Sequence, residues 1–325
     1  MKVHILDDWF DTLKDLPSFK RLAGHDVAVW TDHVKDVDTL TERLAEAEAL
    51  VLFRERTPIP GELLDRLPKL KLISQRSVYP HVDLTGCSRN GVLLCSNMHA
   101  DTPSIAAAEL TFALILAAAR QLPEQTTSLK AGKWQSGVGQ TLAGRTIGLY
   151  GFGRIARQVA DYARAFGMKV VWWASDAGRA RAAAAGEIVA ESRRKFFADA
   201  DVVSLHVRLK PETKGIIGET DLLAMKPSAI FVNTSRAGLV ARGALEAALQ
   251  GGRPGKIALD VFETEPMTDA DDPIVSHPSV IATPHIGYVT EDELGLQFAD
   301  IYDQINAYAE GAPINMINPE VWERR

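Results

Sequence analysis

Three short polar segments in the second half of the chain each follow an apolar, β-prone run. They are the segments 233–238 (NTSRAG), 260–266 (DVFETEP) and 283–287 (TPHIG). Because the carboxyl ends of parallel strands line one edge of a sheet, we expect the three segments to converge on one ligand. An arginine binds a carboxylate in a bidentate manner, a histidine exchanges a proton near neutral pH, and a neighbouring acid stabilises charged imidazole. These groups are the ones needed to interconvert a 2-oxo acid and a 2-hydroxy acid beside a nicotinamide.

A glycine-rich turn lies upstream of these segments, within TIGLYGFGRIA at residues 146–156. The pattern predicts a strand, a turn and a helix in direct succession. Gly151 suits the backbone angles of such a turn, and Gly153 lets a pyrophosphate approach the main chain at the positive end of the helix. Similar turns also open flavin, S-adenosylmethionine and sugar-nucleotide sites, so the turn alone leaves the ligand open between these and a nicotinamide dinucleotide.

The elements that position these groups alternate between strands and helices along the whole chain, which predicts the α/β class with two doubly wound parallel sheets. The strands predicted before the glycine turn are 3–6, 27–30, 50–53, 70–74 and 92–95, with helices such as 38–47 and 61–67 between them. The strands predicted after it are 169–173, 201–207, 230–234, 257–261 and 280–283. We expect a flavodoxin-like substrate domain and a Rossmann dinucleotide-binding domain, with the cleft between them.

The domain limits follow from the last helix, predicted over 291–309, which has a regular apolar face. We expect this helix to return to the first domain. Residues 1–97 and 290–325 would then form a discontinuous substrate domain, and residues 98–289 the dinucleotide-binding domain.

Two segments before the glycine turn have unusual composition. Residues 103–120 are apolar on nearly every face, which predicts a buried helix that packs between domains or subunits. The polar segment 121–144 follows as an arm or linker, in which Trp134 either anchors a partner or packs on its own subunit.

Composition restricts the partners of the protein. The chain has 325 residues, 46% of them hydrophobic and 24% charged, with a formal net charge of -6. A negative charge argues against nucleic acid as a partner, and no apolar run approaches the roughly 20 residues of a membrane span. The first residues resemble a strand rather than a signal peptide, and the spacing of the two cysteines indicates neither disulfides nor a metal site. We therefore expect a cytoplasmic protein without a metal.

The stretches GLYGFGRIA, DVVSLHV, PETKGII, MKPSAIFVNTSRAG, ALDVFETEP and TPHIGY resemble the family of D-isomer-specific 2-hydroxyacid dehydrogenases, and the resemblance covers nearly the whole chain. This resemblance implies NAD or NADP as cofactor, a homodimer formed through the dinucleotide domain, and catalytic roles for Arg236, Glu265 and His285. The candidate cofactor contacts are Gly151, Gly153, Arg154, Ile155, Ser175, Asp176, Thr213, Thr234, Ser235, Asp260 and Gly287.

The chain departs from the family pattern at the cofactor ribose. The acid that often ends the second strand of the dinucleotide fold is replaced by Ala174, followed by Ser175 and Asp176. With Arg179 nearby, either NAD or NADP is compatible with this segment. Asp176 favours NAD, whereas Ser175 and Arg179 suit a 2′-phosphate.

A second departure concerns the substrate. The glycine-rich loop expected after the fourth strand reads Gln75, Arg76, Ser77. Arg54, Arg76 and Ser77 are therefore the candidate substrate contacts, and a second positive charge suits a substrate with a second anionic group. Arg76 equally suits an ion pair with an acid or a position facing solvent.

A third departure is Arg208, which replaces a proline of the family pattern and predicts a different loop over the adenine.

The leading hypothesis is an NAD(P)-dependent oxidoreductase of D-2-hydroxy acids in which His285 exchanges the hydroxyl proton. Phosphoglycerate dehydrogenase and glyoxylate or hydroxypyruvate reductase activities are both compatible with it. The alternative from another class is a non-catalytic, NAD(H)-sensing protein of the corepressor type. The substrate side chain and the physiological direction stay open.

Overall fold

The computed structural model describes residues 1–98 and 105–324. The chain forms two compact units. Met1–Thr102 and Thr290–Arg325 together make the N-terminal unit, and Pro103–Val289 makes the central unit. The N-terminal unit is therefore discontinuous in sequence, and each unit has its own parallel sheet.

All of the predicted strands are present, and their ends differ from the predicted ones by at most two residues. In chain order the strands are β1 (Lys2–Ile5), β2 (Asp26–Val29), β3 (Ala49–Val51), β4 (Leu72–Arg76), β5 (Leu93–Asn97), β6 (Thr146–Tyr150), β7 (Lys169–Trp173), β8 (Val202–Leu205), β9 (Ile230–Asn233), β10 (Lys256–Leu259) and β11 (Val280–Ala282).

The α-helices in chain order are α1 (Val37–Leu44), α2 (Gly61–Asp65), α3 (Leu84–Arg89), α4 (Ile105–Arg120), α5 (Leu122–Lys130), α6 (Arg154–Ala165), α7 (Asp176–Ala184), α8 (Arg193–Asp199), α9 (Glu219–Ala224), α10 (Ala244–Gln250), α11 (Glu291–Ala309) and α12 (Glu320–Glu323). Short 3₁₀ helices occur at Leu13–Asp15, Pro17–Leu22, Pro211–Thr213 and Ala237–Leu239.

The sheet of the N-terminal unit has the strand order β2-β1-β3-β4-β5, and all its pairs are parallel. This is the flavodoxin-like order predicted from the sequence. Strands β3 and β4 are buried along their whole length, as parallel strands covered on both faces are. The order of the chain reverses between β1 and β3, and such a switch point opens a crevice at the carboxyl ends of the two strands.

Helix α11 packs on this sheet. The Thr290 hydroxyl caps its first turn by accepting a hydrogen bond from the Glu293 amide at 3.2 Å. The hydroxyl of Ser74 in β4 donates to the Ile301 carbonyl at 2.8 Å, and the Gln304 amide donates to the Gln75 carbonyl at 2.9 Å. These buried bonds fix the helix against β4.

The sheet of the central unit has the order β11-β10-β9-β8-β6-β7, again with every pair parallel. Six parallel strands with a reversal between β6 and β8 confirm the predicted dinucleotide-binding fold. Helix α6 faces the core with Ala156, Val159, Ala160 and Ala163, all fully buried at helical spacing. The small side chains let this helix lie close to the sheet.

The segment that follows β5 contains two helices. Helix α4 buries Phe112 and Ile115 in the core of the central unit, whereas Glu109 and Ala113 are exposed in the single chain, so the packing between domains or subunits expected for this helix stays a prediction. The predicted arm contains the helix α5, and its Trp134 is 78% exposed, so packing on its own unit is excluded. Residues 103 and 104 of the predicted helix lie outside the described residues.

No single helix within residues 1–98 and 105–324 is long and apolar enough to cross a membrane. Taken together, α4 and α5 would be long and apolar enough by length and composition alone, but the pair is bent by 60°.

Candidate active site

The glycine turn of the central unit connects β6 to α6 and has the geometry of a phosphate-binding turn. Gly151 has a φ of 114°, and an added Cβ would overlap the carbonyl oxygen of His206. Gly153 has an ordinary extended conformation, with φ -109° and ψ -175°, and no atom lies within 4 Å of the position its Cβ would occupy. The first glycine is therefore required by the fold, whereas the second leaves space above the helix N-terminus.

Two of the predicted cofactor contacts, Arg154 and Ile155, lie in the first turn of α6. Arg154 is exposed, Ile155 is half-buried and Ala156 is fully buried beneath the turn. With twelve residues, α6 is long enough for its dipole to favour an anion at this end. The turn thus provides backbone amides, open space and a favourable potential for a pyrophosphate.

His285 and Glu265 form a direct pair. The Nδ1 atom of His285 lies 2.6 Å from Oε2 of Glu265, while Oε1 of Glu265 accepts a hydrogen bond from the Phe262 amide at 3.0 Å. Both side chains are about one-third exposed. Since Nδ1 is engaged, Nε2 is the ring nitrogen that remains to exchange a proton with a ligand.

The pKa of Glu265 lies below its usual value. Burial acts to raise this pKa, but the hydrogen bond and the charge of His285, the Phe262 amide and the charge of Arg236 together outweigh it. Glu265 is therefore a carboxylate near neutral pH, and Arg236 belongs to the same electrostatic group as the pair.

Asp260 stabilises the turn that carries His285 through hydrogen bonds. His285 has a left-handed φ of 55°, which is uncommon for a residue other than glycine. The fully buried carboxylate of Asp260 accepts hydrogen bonds from the Thr283 hydroxyl at 2.6 Å and from the Ile286 and Gly287 amides, both at 2.8 Å. These three bonds flank His285 on both sides and fix the backbone of the turn.

Burial raises the pKa of Asp260, although all three hydrogen bonds and the charge of His285 act to lower it. Both of its oxygens are engaged within the protein. The structure thus places this predicted cofactor contact under the His285 turn, where it supports the turn itself.

The segment after β9 carries three more predicted residues. The Arg236 guanidinium donates to the Ser235 carbonyl at 2.8 Å, and the Ser235 hydroxyl donates to the Leu205 carbonyl at 2.7 Å. The hydroxyl of Thr234 lies 2.6 Å from that of Thr111 in α4. These contacts join the ends of β8 and β9 and set the position of Arg236.

The predicted ribose contacts lie at the start of α7. Ser175 caps this helix, because its hydroxyl accepts a hydrogen bond from the Gly178 amide at 3.3 Å. Asp176 is exposed and forms an ion pair with Arg179. The Arg179 guanidinium also donates to the Ala174 carbonyl at 2.7 Å and lies 4.3 Å from the ring centroid of Trp173. A cation and an anion therefore lie side by side at the end of β7.

Thr213 ends a short 3₁₀ helix after β8. Its hydroxyl accepts a hydrogen bond from the Lys210 amide at 2.8 Å and donates one to the Arg208 carbonyl at 2.7 Å. The side chain therefore closes the loop that begins with Arg208.

The predicted substrate contacts all belong to the N-terminal unit. Arg54 and Arg76 line one concave surface together with Leu52, Phe53, Gln297, Phe298 and Ile301. Arg76 is buried and its Nε lies 3.1 Å from Oδ2 of Asp300, so the ion pair considered for this residue is present. Ser77 has a φ of 79°, and its amide donates to the Asn97 carbonyl at 3.1 Å.

Two further residues of the central unit were not predicted as site residues. Tyr288 is buried and meets the His285 ring edge to face, with the ring centroids 5.8 Å apart. His206 follows β8 directly, with Nε2 3.0 Å from the Ser204 hydroxyl, and burial lowers its pKa to about 4. Both residues lie in stretches that carry the family resemblance: His206 follows a strand, and Tyr288 lies in the turn of His285. Their places in these stretches were the sequence signal that could have identified them.

Comparison with known proteins agrees with this geometry. The family model described as "D-isomer specific 2-hydroxyacid dehydrogenase, NAD binding domain" matches residues 112–287. A glyoxylate reductase of Thermococcus litoralis is 33% identical, with 91% of this chain and 92% of that protein covered. A D-3-phosphoglycerate dehydrogenase of Methanocaldococcus jannaschii is 35% identical over 84% of this chain, which spans only 52% of that relative. The crystal structure of a phosphoglycerate oxidoreductase from Vibrio cholerae O395 has a TM-score of 0.90 and 44% identity, covering 96% of this chain and all of that one.

The chain therefore belongs to the family of D-isomer specific 2-hydroxyacid dehydrogenases. This is a family of oxidoreductases that act on the CH–OH group of hydroxy acids, and the central unit contains its NAD-binding domain. NAD(H) is the cofactor that this domain binds.

Proposed function

We propose that this protein transfers a hydride between NAD(H) and a D-2-hydroxy acid or its 2-oxo acid. The observation that carries the proposal is the 2.6 Å contact between His285 Nδ1 and Glu265 Oε2 in a unit that also has an open glycine turn. A histidine fixed by a carboxylate is suited to exchange a proton at a single nitrogen.

In the reducing direction, charged His285 donates the proton on Nε2 to the carbonyl oxygen of the oxo acid. NADH, when bound, supplies the hydride that reaches C2. The products are the hydroxy acid, NAD⁺ and neutral His285, so the charge and the atoms balance. In the oxidising direction, neutral His285 accepts the hydroxyl proton.

Glu265 and Arg236 support this step in different ways. The Glu265 carboxylate stabilises the charged imidazole and holds the ring in one orientation. Arg236 binds the carboxylate of the substrate, since a guanidinium offers two parallel donors to a planar anion.

The cofactor is held by residues of the central unit. The open space at Gly153 and the amides of the first turn of α6 suit the pyrophosphate, and Gly151 allows the chain to turn sharply enough to form them. We also assign cofactor binding to the other contacts that the family pattern implies. These are Arg154, Ile155, Thr213, Thr234, Ser235 and Gly287. Asp176 is assigned to the adenosine ribose, with Ser175 capping the helix that carries it.

In this proposal, substrate binding is assigned to Arg54, Arg76 and Ser77 of the N-terminal unit. Arg76 contributes a second positive charge that is partly balanced by Asp300. Acids with a second anionic group, such as phosphohydroxypyruvate, and small acids such as glyoxylate or hydroxypyruvate are therefore the substrates to compare. The relatives just described bear names from both groups.

The experiment follows NADH oxidation at 340 nm with glyoxylate, hydroxypyruvate, phosphohydroxypyruvate and pyruvate. Turnover of at least one acid by the wild-type protein, lost in His285→Ala, supports the proposal. Absence of turnover with every acid, despite NADH binding, would favour the alternative of a nucleotide-sensing protein, which no observation on this chain otherwise supports.

We also propose a cytoplasmic homodimer formed through the central unit. Exposed apolar side chains cluster in and after α5: Leu122 at 50%, Leu129 at 60%, Trp134 at 78% and Val138 at 90% exposure. Exposed apolar side chains that recur along one segment suit contact with a second copy of the chain. Sedimentation of Trp134→Glu tests this, because a dimer held at this surface should dissociate at concentrations where the wild-type protein does not.

A further inference from the structure

Asp7 occupies an unusual position in the N-terminal unit. It follows β1, at the switch point between β1 and β3, and its side chain is only 2% exposed. Its φ of 63° is left-handed, a conformation that a residue with a Cβ adopts only where the surrounding structure stabilises it.

Asp7 connects the loops that follow the two neighbouring strands. Its Oδ1 lies 2.7 Å from Nδ1 of His33, in the loop after β2. Its Oδ2 accepts a hydrogen bond from the Thr57 hydroxyl at 2.6 Å, and its carbonyl oxygen accepts one from the Arg56 guanidinium at 2.6 Å. Two consecutive residues of the loop after β3 are thus bound to this one aspartate.

The Arg56 side chain of the same loop also contacts two aromatic rings. The Arg56 guanidinium lies 4.1 Å from the ring centroid of Trp9 and 4.1 Å from that of Phe53. Each contact is in the range of a favourable cation–π interaction. The Arg56 side chain therefore contacts both Trp9, which follows β1, and Phe53, which precedes Arg54.

Arg54 lies within this restrained loop and has a φ of 60°. Arg54 lines the concave surface that Arg76 also lines. A left-handed arginine in a surface loop has no intrinsic reason to keep that conformation, because the strain favours relaxation to a negative φ. The side chains of Arg56 and Thr57, two and three residues after Arg54, donate hydrogen bonds to the Asp7 carbonyl and carboxylate, and so anchor the segment that follows Arg54.

We infer that Asp7 is a positioning residue for substrate binding, which holds Arg54 where it contacts an anionic group of the 2-oxo acid. This inference rests on the proposed function. Asp7 touches neither substrate nor cofactor in this view. It determines the affinity for the acid and leaves proton transfer at His285 unchanged.

The test compares Asp7→Ala with Asp7→Asn in steady-state reduction of the best 2-oxo acid. The alanine variant loses both carboxylate bonds, so KM for the acid should rise about tenfold while kcat and the Kd for NADH stay within about twofold. Asparagine keeps an acceptor for Thr57 and a polar contact with His33, so it should restore most of the affinity. Thr57→Val, which removes one bond without changing the shape, should raise KM in the same direction by a smaller factor.

Asp8→Ala is the matched control. Asp8 is also fully buried, but its carboxylate accepts hydrogen bonds from the Thr12 and Leu13 amides at 3.4 and 3.0 Å, away from the Arg54 loop. Its loss should lower the melting temperature without raising KM.

An unchanged KM in both Asp7→Ala and Thr57→Val, with an active wild-type protein, overturns the inference and leaves the proposed function intact. A kcat that falls as much as kcat/KM in Thr57→Val also overturns it. If Asp7→Ala does not fold, Thr57→Val and Asp7→Asn decide the question. A wild-type protein that binds NADH but reduces no 2-oxo acid overturns the proposed function and this inference together.

Discussion

The imidazole of His285 lies 2.6 Å from the carboxylate of Glu265, and this carboxylate is itself held by the Phe262 amide. Each partner therefore has its orientation set by a neighbour, and the ring presents Nε2 in one direction. The Asp260 carboxylate fixes the backbone on either side of the histidine. Side chain and main chain of the candidate proton donor are thus held by separate acids.

His285→Ala should lower the rate of hydride transfer by about 10²-fold or more, because it removes the proposed general acid. NADH binding should be nearly unchanged, since the glycine turn is untouched. Single-turnover NADH oxidation measures the first quantity and a fluorescence titration the second. His277→Ala, at a histidine outside this group, is the control and should keep wild-type turnover. A His285→Ala protein with near wild-type rates would remove this residue from the mechanism.

Glu265→Gln should move the pH profile of 2-oxo acid reduction to lower pH. In the proposed mechanism, reduction requires protonated His285, and the loss of the neighbouring negative charge makes the charged imidazole less favourable. The carboxylate that is removed has a lowered pKa, so it is ionised throughout the neutral range and its charge is present in the wild-type profile. An unmoved profile would mean that the residue serves only to hold the ring.

Asp260→Ala should lower both stability and turnover. The substitution leaves the Ile286 and Gly287 amides and the Thr283 hydroxyl without their buried acceptor, which costs about 2–4 kcal/mol of unfolding free energy. The His285 turn should then lose its fixed conformation. Urea unfolding and kcat measure the two effects. A large loss of stability with unchanged kcat would show that the turn keeps its conformation without this aspartate.

Substitutions at the two glycines of the turn should separate folding from cofactor binding. Gly153→Ala meets open space and an ordinary φ, so the melting temperature should stay within about 2 °C while the Kd for NADH rises about tenfold or more. Gly151→Ala meets the His206 carbonyl at a φ of 114°, so it should destabilise the unit itself. Equal effects of both variants on stability would contradict this division.

The fold could be predicted from the sequence because strands and helices each produce a local pattern of residues. Short β-branched runs such as Val170 and Val171 alternate with helical patterns, and a parallel sheet is the arrangement that buries them. The strand ends differed from prediction by up to two residues, since hydrogen-bonding partners rather than residue types decide where pairing stops.

The site was predictable only in part, because roles depend on partners that are distant in sequence. The His285 and Glu265 pair was expected, but nothing in the order of residues showed that both oxygens of Asp260 support the histidine turn. In the same way, Arg76 was open between a substrate contact and an ion pair until Asp300, more than 200 positions later, was placed beside it. Left-handed φ values at Arg54 and His285 likewise leave no mark in the residue types.

Asp176→Ala tests the basis of the preference for NAD. Asp176 is exposed and paired with Arg179, whose guanidinium rests on Trp173 at the end of β7. As the proposed ribose ligand, the carboxylate accepts hydrogen bonds from the ribose hydroxyls and repels a 2′-phosphate, so the wild-type protein should bind NADH more tightly than NADPH. Removing it takes away both effects and leaves Arg179 as the nearest charge, so the ratio of the two dissociation constants should move towards NADPH by about tenfold.

The matched control for this change is Asp161→Ala. Asp161 forms an exposed ion pair with Arg164 at the same three-residue spacing, in helix α6 rather than α7. Its removal alters the net charge equally, so a general electrostatic effect on the phosphate would appear in both variants. We expect the ratio to change only in Asp176→Ala. If it stays unchanged there, Asp176 is not the ribose ligand, and the preference must come from the shape of the segment after β7, where the Ser175 hydroxyl is already used to cap the helix.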